Sequence, residues 1–225
     1  MKAIRAVIFD MDGLMLDTEA IYRMVWQRAA RIQGFVLTDE QYLQFLGRTT
    51  HDAELDVAAM YGPAFDRAQF HSDWPRIWQT YTAQHSIPRK PGLDALLALL
   101  DADGYRKAVA TSTVWAEAIA TLGALKDRFD VLVTGDMVQH GKPAPDIFLL
   151  VAEQLGVTPD ECLVLEDSEA GISAASAAGM RVICVPDLKQ PVPEVARKAT
   201  AIYRTLDDVR HWLVTYAADQ HSSDM

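Results

Sequence analysis

The chain has 225 residues, half of them hydrophobic, enough for one generous domain or a domain carrying an insertion around a sizeable core. Its formal net charge of −10 disfavours nucleic acid or an anionic membrane as the main partner, because both reward basic surface. No opening segment reads as a signal peptide and no apolar stretch approaches ~18 residues, so a soluble, cytoplasmic protein is expected. Cys162 and Cys184 each lie inside an apolar run. They are expected as buried free thiols rather than as a zinc site or a disulfide framework.

Residues 4–9, apolar and β-branched, predict a buried strand that ends in Asp10, Asp12 and Gly13. Two carboxylates two residues apart at a strand's end can face one site, where they cannot cheaply stay ionised together without a cation. Gly13 lets the chain turn sharply close to a ligand. The natural reading is a hard-metal site with a carboxylate free to attack an electrophile. A calcium-binding EF-hand loop fits poorly, because a strand precedes and the third acid before the glycine is missing.

Residues 19–33 then read as a helix, Thr38-Asp39-Glu40 as a helix start, and residues 52–60 and 65–84 as further helices. Trp74, Ile77, Trp78 and Tyr81 fall at helical spacing and read as a core-packing stripe. Strand signals are absent across about 18–88. After Pro88 and Pro91-Gly92 the texture alternates. Helices are predicted over 93–100, 116–122, 145–155 (opened by a proline whose missing N–H costs nothing there), 170–178 and 206–216. Strands are predicted over 106–111, 131–134, 162–165, 182–185 and 201–203. Such alternation implies an α/β fold, a parallel sheet with helices on both faces. A Rossmann-like core of residues 1–17 and 89–225, with an α-helical cap inserted over 18–88, is therefore expected.

In such sheets ligands bind beyond the carboxyl ends of the strands. There the chain presents Asp10 and Asp12, then Thr111-Ser112-Thr113, then Gly141-Lys142-Pro143, then Glu166-Asp167-Ser168. Taken singly these are a capped helix, a solvated lysine and acids at a helix's positive end. Taken together they form acids, hydroxyls and one cation around one mouth. Each has a task if the electrophile is phosphorus. Asp10 attacks in line, and Asp12 gives a proton to the leaving oxygen and then takes one from water. Asp10 and Asp167, with an oxygen of Asp12, suit magnesium, which shields the phosphate's charge. Thr111 and the N–H groups after it, Ser112 first, hold phosphoryl oxygens, and Lys142 neutralises nucleophile and developing charge.

Phe9-Asp10-Met11-Asp12-Gly13, Thr111, Gly141-Lys142-Pro143-Ala144-Pro145-Asp146 and Glu166-Asp167-Ser168-Glu169-Ala170-Gly171 resemble, in order, the four motifs of the haloacid dehalogenase superfamily. The inserted segment resembles the helical cap of the subgroup that contains β-phosphoglucomutase and small sugar-phosphate or nucleotide phosphatases. The resemblance implies Asp10 as nucleophile, Asp12 as acid and base, Asp167 as magnesium ligand with Glu166 supporting the metal, and Thr111 and Lys142 on the phosphoryl group. Asp12 sets the chain apart from true dehalogenases, which lack that second acid and need no metal.

Within that subgroup, the mutase has a histidine where Tyr22 stands, a lysine where Val114 stands, and an arginine three residues after the cap glycine. Here Gly47 is followed by Arg48, Thr49 and Thr50. A mutase must hold a bisphosphate by both ends and needs extra cations, so a phosphatase is favoured over a phosphosugar mutase. The expected substrate is a small phosphorylated metabolite, a sugar phosphate or nucleoside monophosphate, with Tyr22, Arg48 and Thr49 as its contacts from the cap. A phospho-aspartate signalling module without turnover also uses Asp, Thr or Ser, Lys and magnesium. Its acceptor, however, lies on a third strand and it lacks a helical insertion.

Overall fold

The computed structural model describes residues 2–46 and 50–223. The chain divides into two compact units, Met1–Leu16 with Arg89–Met225, and Asp17–Pro88.

The first unit is built on six parallel strands: β1 (Ala6–Phe9), β2 (Arg106–Ala110), β3 (Val131–Val133), β4 (Cys162–Glu166), β5 (Arg181–Cys184) and β6 (Ala201–Ile202), in the order β3-β2-β1-β4-β5-β6. Helices α5 (Leu93–Ala102), α6 (Trp115–Leu122), α7 (Asp146–Leu155), α8 (Glu169–Ala177), α9 (Pro193–Ala196) and α10 (Leu206–Ser223) complete it. Four helices of the other unit precede them in the chain. β1 is fully buried, as its near-continuous apolar run requires of a central parallel strand. Ladder bonding extends past its start, with Arg5 N–H on Glu161 O and Arg106 N–H on Arg5 O. This accounts for the strand signal from residue 4.

Ala6 and Ile8 of β1, Ala108 and Ala110 of β2, and Cys162 and Val164 of β4 share one core with Phe148 and Val151 of α7 and Ile172 and Ala175 of α8. Side chains alternate along a strand, so Val7 and Phe9 point to the other side, where Phe9 meets the Phe129 ring edge-on at 5.6 Å. α5 packs on α10, burying four leucines of α5 together with Leu206, Val209 and Leu213. Cys162 and Cys184 are free and buried, as their apolar surroundings imply.

The elements depart from expectation at a few ends. The helix predicted from residue 145 begins at Asp146, with Pro145 as its N-cap, and α10 continues past Tyr216 to Ser223. The four-residue α9 was not anticipated, being too short to show a period.

The second unit contains α1 (Thr18–Ile32), α2 (Asp39–Leu43), α3 (Thr50–Tyr61) and α4 (Arg67–Gln84), with no strand among its described residues. Thr38 caps α2 through a reciprocal pair with Gln41, the capping box that its sequence signals. The core centres on Trp26, which meets Phe70 edge-on at 5.1 Å and Tyr42 at 6.1 Å. Trp74, Ile77, Trp78 and Tyr81 belong to or pack against this core. The aromatic stripe of α4 is thus packing, as read.

Candidate active site

The sheet order reverses at β1, which lies between β2 and β4. Such a reversal opens a crevice at the strands' carboxyl ends. Asp10 follows β1 directly, its N–H still donating to Leu165 O at 3.0 Å, and Thr111 follows β2 with its N–H on Val133 O. Glu166 is the last residue of β4, opposite Cys184.

Strand parity places the two buried acids. Ala6 and Ile8 face the α7–α8 core, so the next residue of that parity, Asp10, faces the same way. Cys162 and Val164 lead to Glu166 likewise. Lys142, in the loop before α7, meets both. Its ammonium donates to Asp10 Oδ1 at 2.5 Å, Glu166 Oε1 at 2.6 Å and the Ala110 carbonyl at 2.9 Å. It also lies 5.1 Å from the centre of the Phe148 ring.

Glu166 has no exposed surface, and its other oxygen accepts from the N–H groups of Asp167 and Ser168 and from the Ser168 hydroxyl. The Ser168 hydroxyl also caps α8 by accepting from Gly171 N–H. A methyl on Gly171 would stand 1.8 Å from Glu166 Oε1, so glycine is required there for the carboxylate to occupy this place.

Charge is unbalanced here. One carboxylate oxygen each from Asp10, Glu166 and Asp167 lie within 4.8 Å of one another, with the single ammonium of Lys142 between the first two. Burial alone would lower Lys142, but the charges of Asp10 and Glu166 and its bonds to them outweigh this and hold it above the ordinary lysine range. Burial foremost lifts the Asp10 carboxyl to about 8; Lys142 pulls it down, and Glu166 and Asp12 push it up. A divalent cation beside Asp10 and Asp167 would restore the balance, and all-oxygen donors are what magnesium takes. The group therefore fits such an ion, with Glu166 engaged on both oxygens behind it.

Asp12 occupies the tight loop after β1, where Gly13 N–H donates to Leu16 O and Met15 and Leu16 both bond back to Met11 O. Gly13 adopts φ +81, and a methyl on it would lie 2.5 Å from Asp167 Oδ2. Both facts demand glycine. Asp12 Oδ2 accepts the Thr113 hydroxyl at 2.8 Å and the Thr111 hydroxyl at 3.5 Å, while Thr111 Oγ1 accepts from Thr113 N–H at 3.1 Å. The Thr-Ser-Thr run does not distinguish Thr113 by sequence, yet its hydroxyl makes the shorter contact to Asp12. Ser112 is exposed, and its carbonyl lies 2.2 Å from where a methyl on Gly135 would stand.

Asp10, Asp12, Thr111, Lys142, Glu166 and Asp167 are thus gathered at the ends of β1, β2 and β4. Tyr22 lies on α1 of the helical unit, stacked on Trp78 at 4.1 Å. Arg48 and Thr49 fall outside the described residues. Val114, the N-cap of α6, is exposed.

A family model described as haloacid dehalogenase-like hydrolase matches residues 4–179. The chain is 34% identical over 184 residues to the phosphorylated carbohydrates phosphatase of Thermotoga maritima, covering 79% of this chain and 83% of that protein. It is 30% identical over 179 residues to the fructose-1-phosphate phosphatase YqaB of Escherichia coli K12, covering 80% and 95%. Among solved structures, CbbY from Rhodobacter sphaeroides, in complex with phosphate, superposes with a TM-score of 0.76 at 29% identity, covering 92% of this chain and 96% of that one. An enzyme of phosphate monoester hydrolysis, the class expected from the motifs, agrees with the names of these relatives. With its four motifs gathered at the strand ends and a family match across most of its length, the chain belongs to the haloacid dehalogenase-like hydrolases.

Proposed function

We propose that the chain is a magnesium-dependent phosphatase that hydrolyses a small phosphate monoester, a sugar phosphate or nucleoside monophosphate, through a phosphoryl group carried transiently on Asp10. The observation that carries this reading is the buried Asp10–Lys142–Glu166 chain beside Asp167. A carboxylate held by an ammonium at 2.5 Å is oriented before substrate arrives, and that pre-positioning lowers the barrier to in-line attack. The names of two relatives, phosphatases of phosphorylated carbohydrates and of fructose 1-phosphate, support a sugar phosphate.

Asp10 and Asp167, with an oxygen of Asp12, would hold the metal, and Glu166 would support them from behind. When bound, the ion offsets the acids' charge against an anionic substrate. Asp10 attacks phosphorus as the ester P–O bond breaks, and Asp12 gives its proton to the departing oxygen. Asp12 then takes a proton from the water that attacks the phosphoryl group. The bond from Asp10 to phosphorus breaks, and inorganic phosphate leaves with Asp10 restored. Thr113 and Thr111 orient Asp12 through its Oδ2. Thr111, Ser112 and Lys142 hold phosphoryl oxygens, and Lys142 keeps a positive charge throughout. Tyr22, Arg48 and Thr49 are the proposed contacts for the rest of the substrate.

The test is phosphate release from a panel of sugar phosphates and nucleoside monophosphates. Release should require magnesium, stop in excess chelator, and return poorly with calcium, whose larger and looser coordination suits this chemistry less. Full activity in chelator would overturn the metal reading. Conversion of β-glucose 1-phosphate to glucose 6-phosphate, faster than any phosphate release, would replace the phosphatase with a mutase.

A further inference from the structure

Beyond the four motifs, one more buried acid borders the same loop. Asp187 lies just past β5. The strand pairing sets β5 beside β4, and Val185 N–H donates to Glu166 O at 2.7 Å. The segment after β5 therefore leaves alongside Glu166-Asp167. The Asp187 side chain is 9% exposed, and its Oδ1 accepts from Lys90 Nζ at 2.5 Å. Its Oδ2 is buried without a hydrogen-bond partner among the described residues. That oxygen is aimed at Gly13, 3.3 Å from where a methyl on Gly13 would stand, the same point that Asp167 Oδ2 approaches to 2.5 Å.

A buried carboxylate oxygen without a donor needs an explanation, and two carboxylates converging on one glycine call for a cation or donors between them. Asp187 is outside the group of three acids whose oxygens lie within 4.8 Å of one another, so it is set too far back to be a ligand beside them. Magnesium dehydrates reluctantly and keeps several waters, and these need acceptors.

We infer that Asp187 is a further positioning residue of the metal site, an outer acid whose Oδ2 accepts from the hydration shell of a cation held by Asp10 and Asp167. Lys90 takes up Oδ1 and part of the acid's charge, while Oδ2 faces Gly13. Lys90 is itself tied to the loop after β1 by its N–H on Met15 O at 2.8 Å. This inference rests on the metal reading proposed above.

Calorimetric titration of MgCl2 into the full chain, stripped of metal, tests it together with thermal unfolding of the same samples. Asp187→Asn keeps the shape and removes the charge. It should weaken magnesium binding about tenfold, the usual effect of losing an outer partner. Lys90→Met removes a cation from beside the site and frees Asp187's charge, so it should tighten magnesium binding. If the pair is merely a clasp between two loops, both variants lower the unfolding midpoint and leave magnesium affinity unchanged, which overturns the inference. If Asp187→Asn does not fold, Lys90→Met decides alone. Tighter binding supports the inference, and unchanged or weaker binding overturns it. A wild-type chain that binds no magnesium overturns the metal reading, and this inference with it.

Discussion

Asp10→Asn separates chemistry from stability, because one carboxylate serves the first and costs the second. In the metal-free chain, burial foremost, with Glu166 and Asp12 adding to it, raises Asp10 from 3.8 to about 8 in spite of Lys142. An acid raised in the folded state costs nothing at a pH below its unfolded value. Its cost grows as pH climbs from about 4 to about 8, where the unfolded chain ionises and the folded one resists, and is constant above that. At ~1.4 kcal/mol per pH unit, the cost is bounded by about 4 kcal/mol at pH 7 and about 2 kcal/mol at pH 5. Asparagine keeps the shape, offers Lys142 a carbonyl to donate to, and escapes this cost.

Urea unfolding in excess chelator should therefore find the variant more stable by roughly 2–4 kcal/mol at pH 7, with the gain shrinking to about 1 kcal/mol at pH 5. Phosphate release should meanwhile fall by several orders of magnitude. A variant less stable than wild type at pH 7 in chelator would show that the ionised Asp10 is not a net cost to the fold. It would mean that Lys142 stabilises the ionised carboxylate more than burial and the neighbouring acids oppose it.

Three further outcomes follow from the same geometry. Asp12→Asn should slow hydrolysis of alkyl phosphates far more than of aryl phosphates, whose leaving groups need no proton; equal losses would count against Asp12 as the acid. Gly171→Ala puts a methyl where the Glu166 carboxylate sits. Breaking that buried pair should cost about 3–5 kcal/mol in urea unfolding, and a variant within about 1 kcal/mol of wild type would show that Glu166 does not depend on this packing. Burial pushes both thiols, Cys162 and Cys184, up to about 12, so iodoacetamide at pH 8 should modify neither in the folded chain and both in urea. Rapid labelling without denaturant would contradict their burial.

The sheet was legible because its central strands, β1, β4 and β5, are buried along their whole length and so read as short apolar runs. The polar residue ending each run marked the site, and Asp10, Thr111 and Glu166 all follow or end a strand in this way. Spacing alone did not resolve which hydroxyl of Thr111-Ser112-Thr113 meets Asp12. Three hydroxyls in a row give the same signal, and the turn after β2 brings Thr113 to it at 2.8 Å. Asp187 carried no signal at all. It is a loop acid after Val185-Pro186, and only the β4–β5 pairing carries it to Gly13. The burial of Arg181 was hidden for the same reason. Its guanidinium donates to Tyr216 Oη, Lys2 O and Asp160 O, three partners distant in sequence. The sequence suggests Tyr22 as a substrate contact from its position after the first motif. Its stacking on Trp78 depends on how α1 packs against α4, which no local pattern shows.

The mechanism stands on transfer of the phosphoryl group to Asp10. Enzyme quenched in acid during steady turnover of a good substrate, digested and analysed by mass spectrometry, addresses it directly. The peptide containing Asp10 should carry a phosphoryl group that hydroxylamine removes, and Asp12→Asn should retain or accumulate it. Wild-type enzyme quenched during a demonstrated burst of leaving-group release, yet bearing no phosphoryl group on Asp10 or bearing it on another residue, would contradict that transfer.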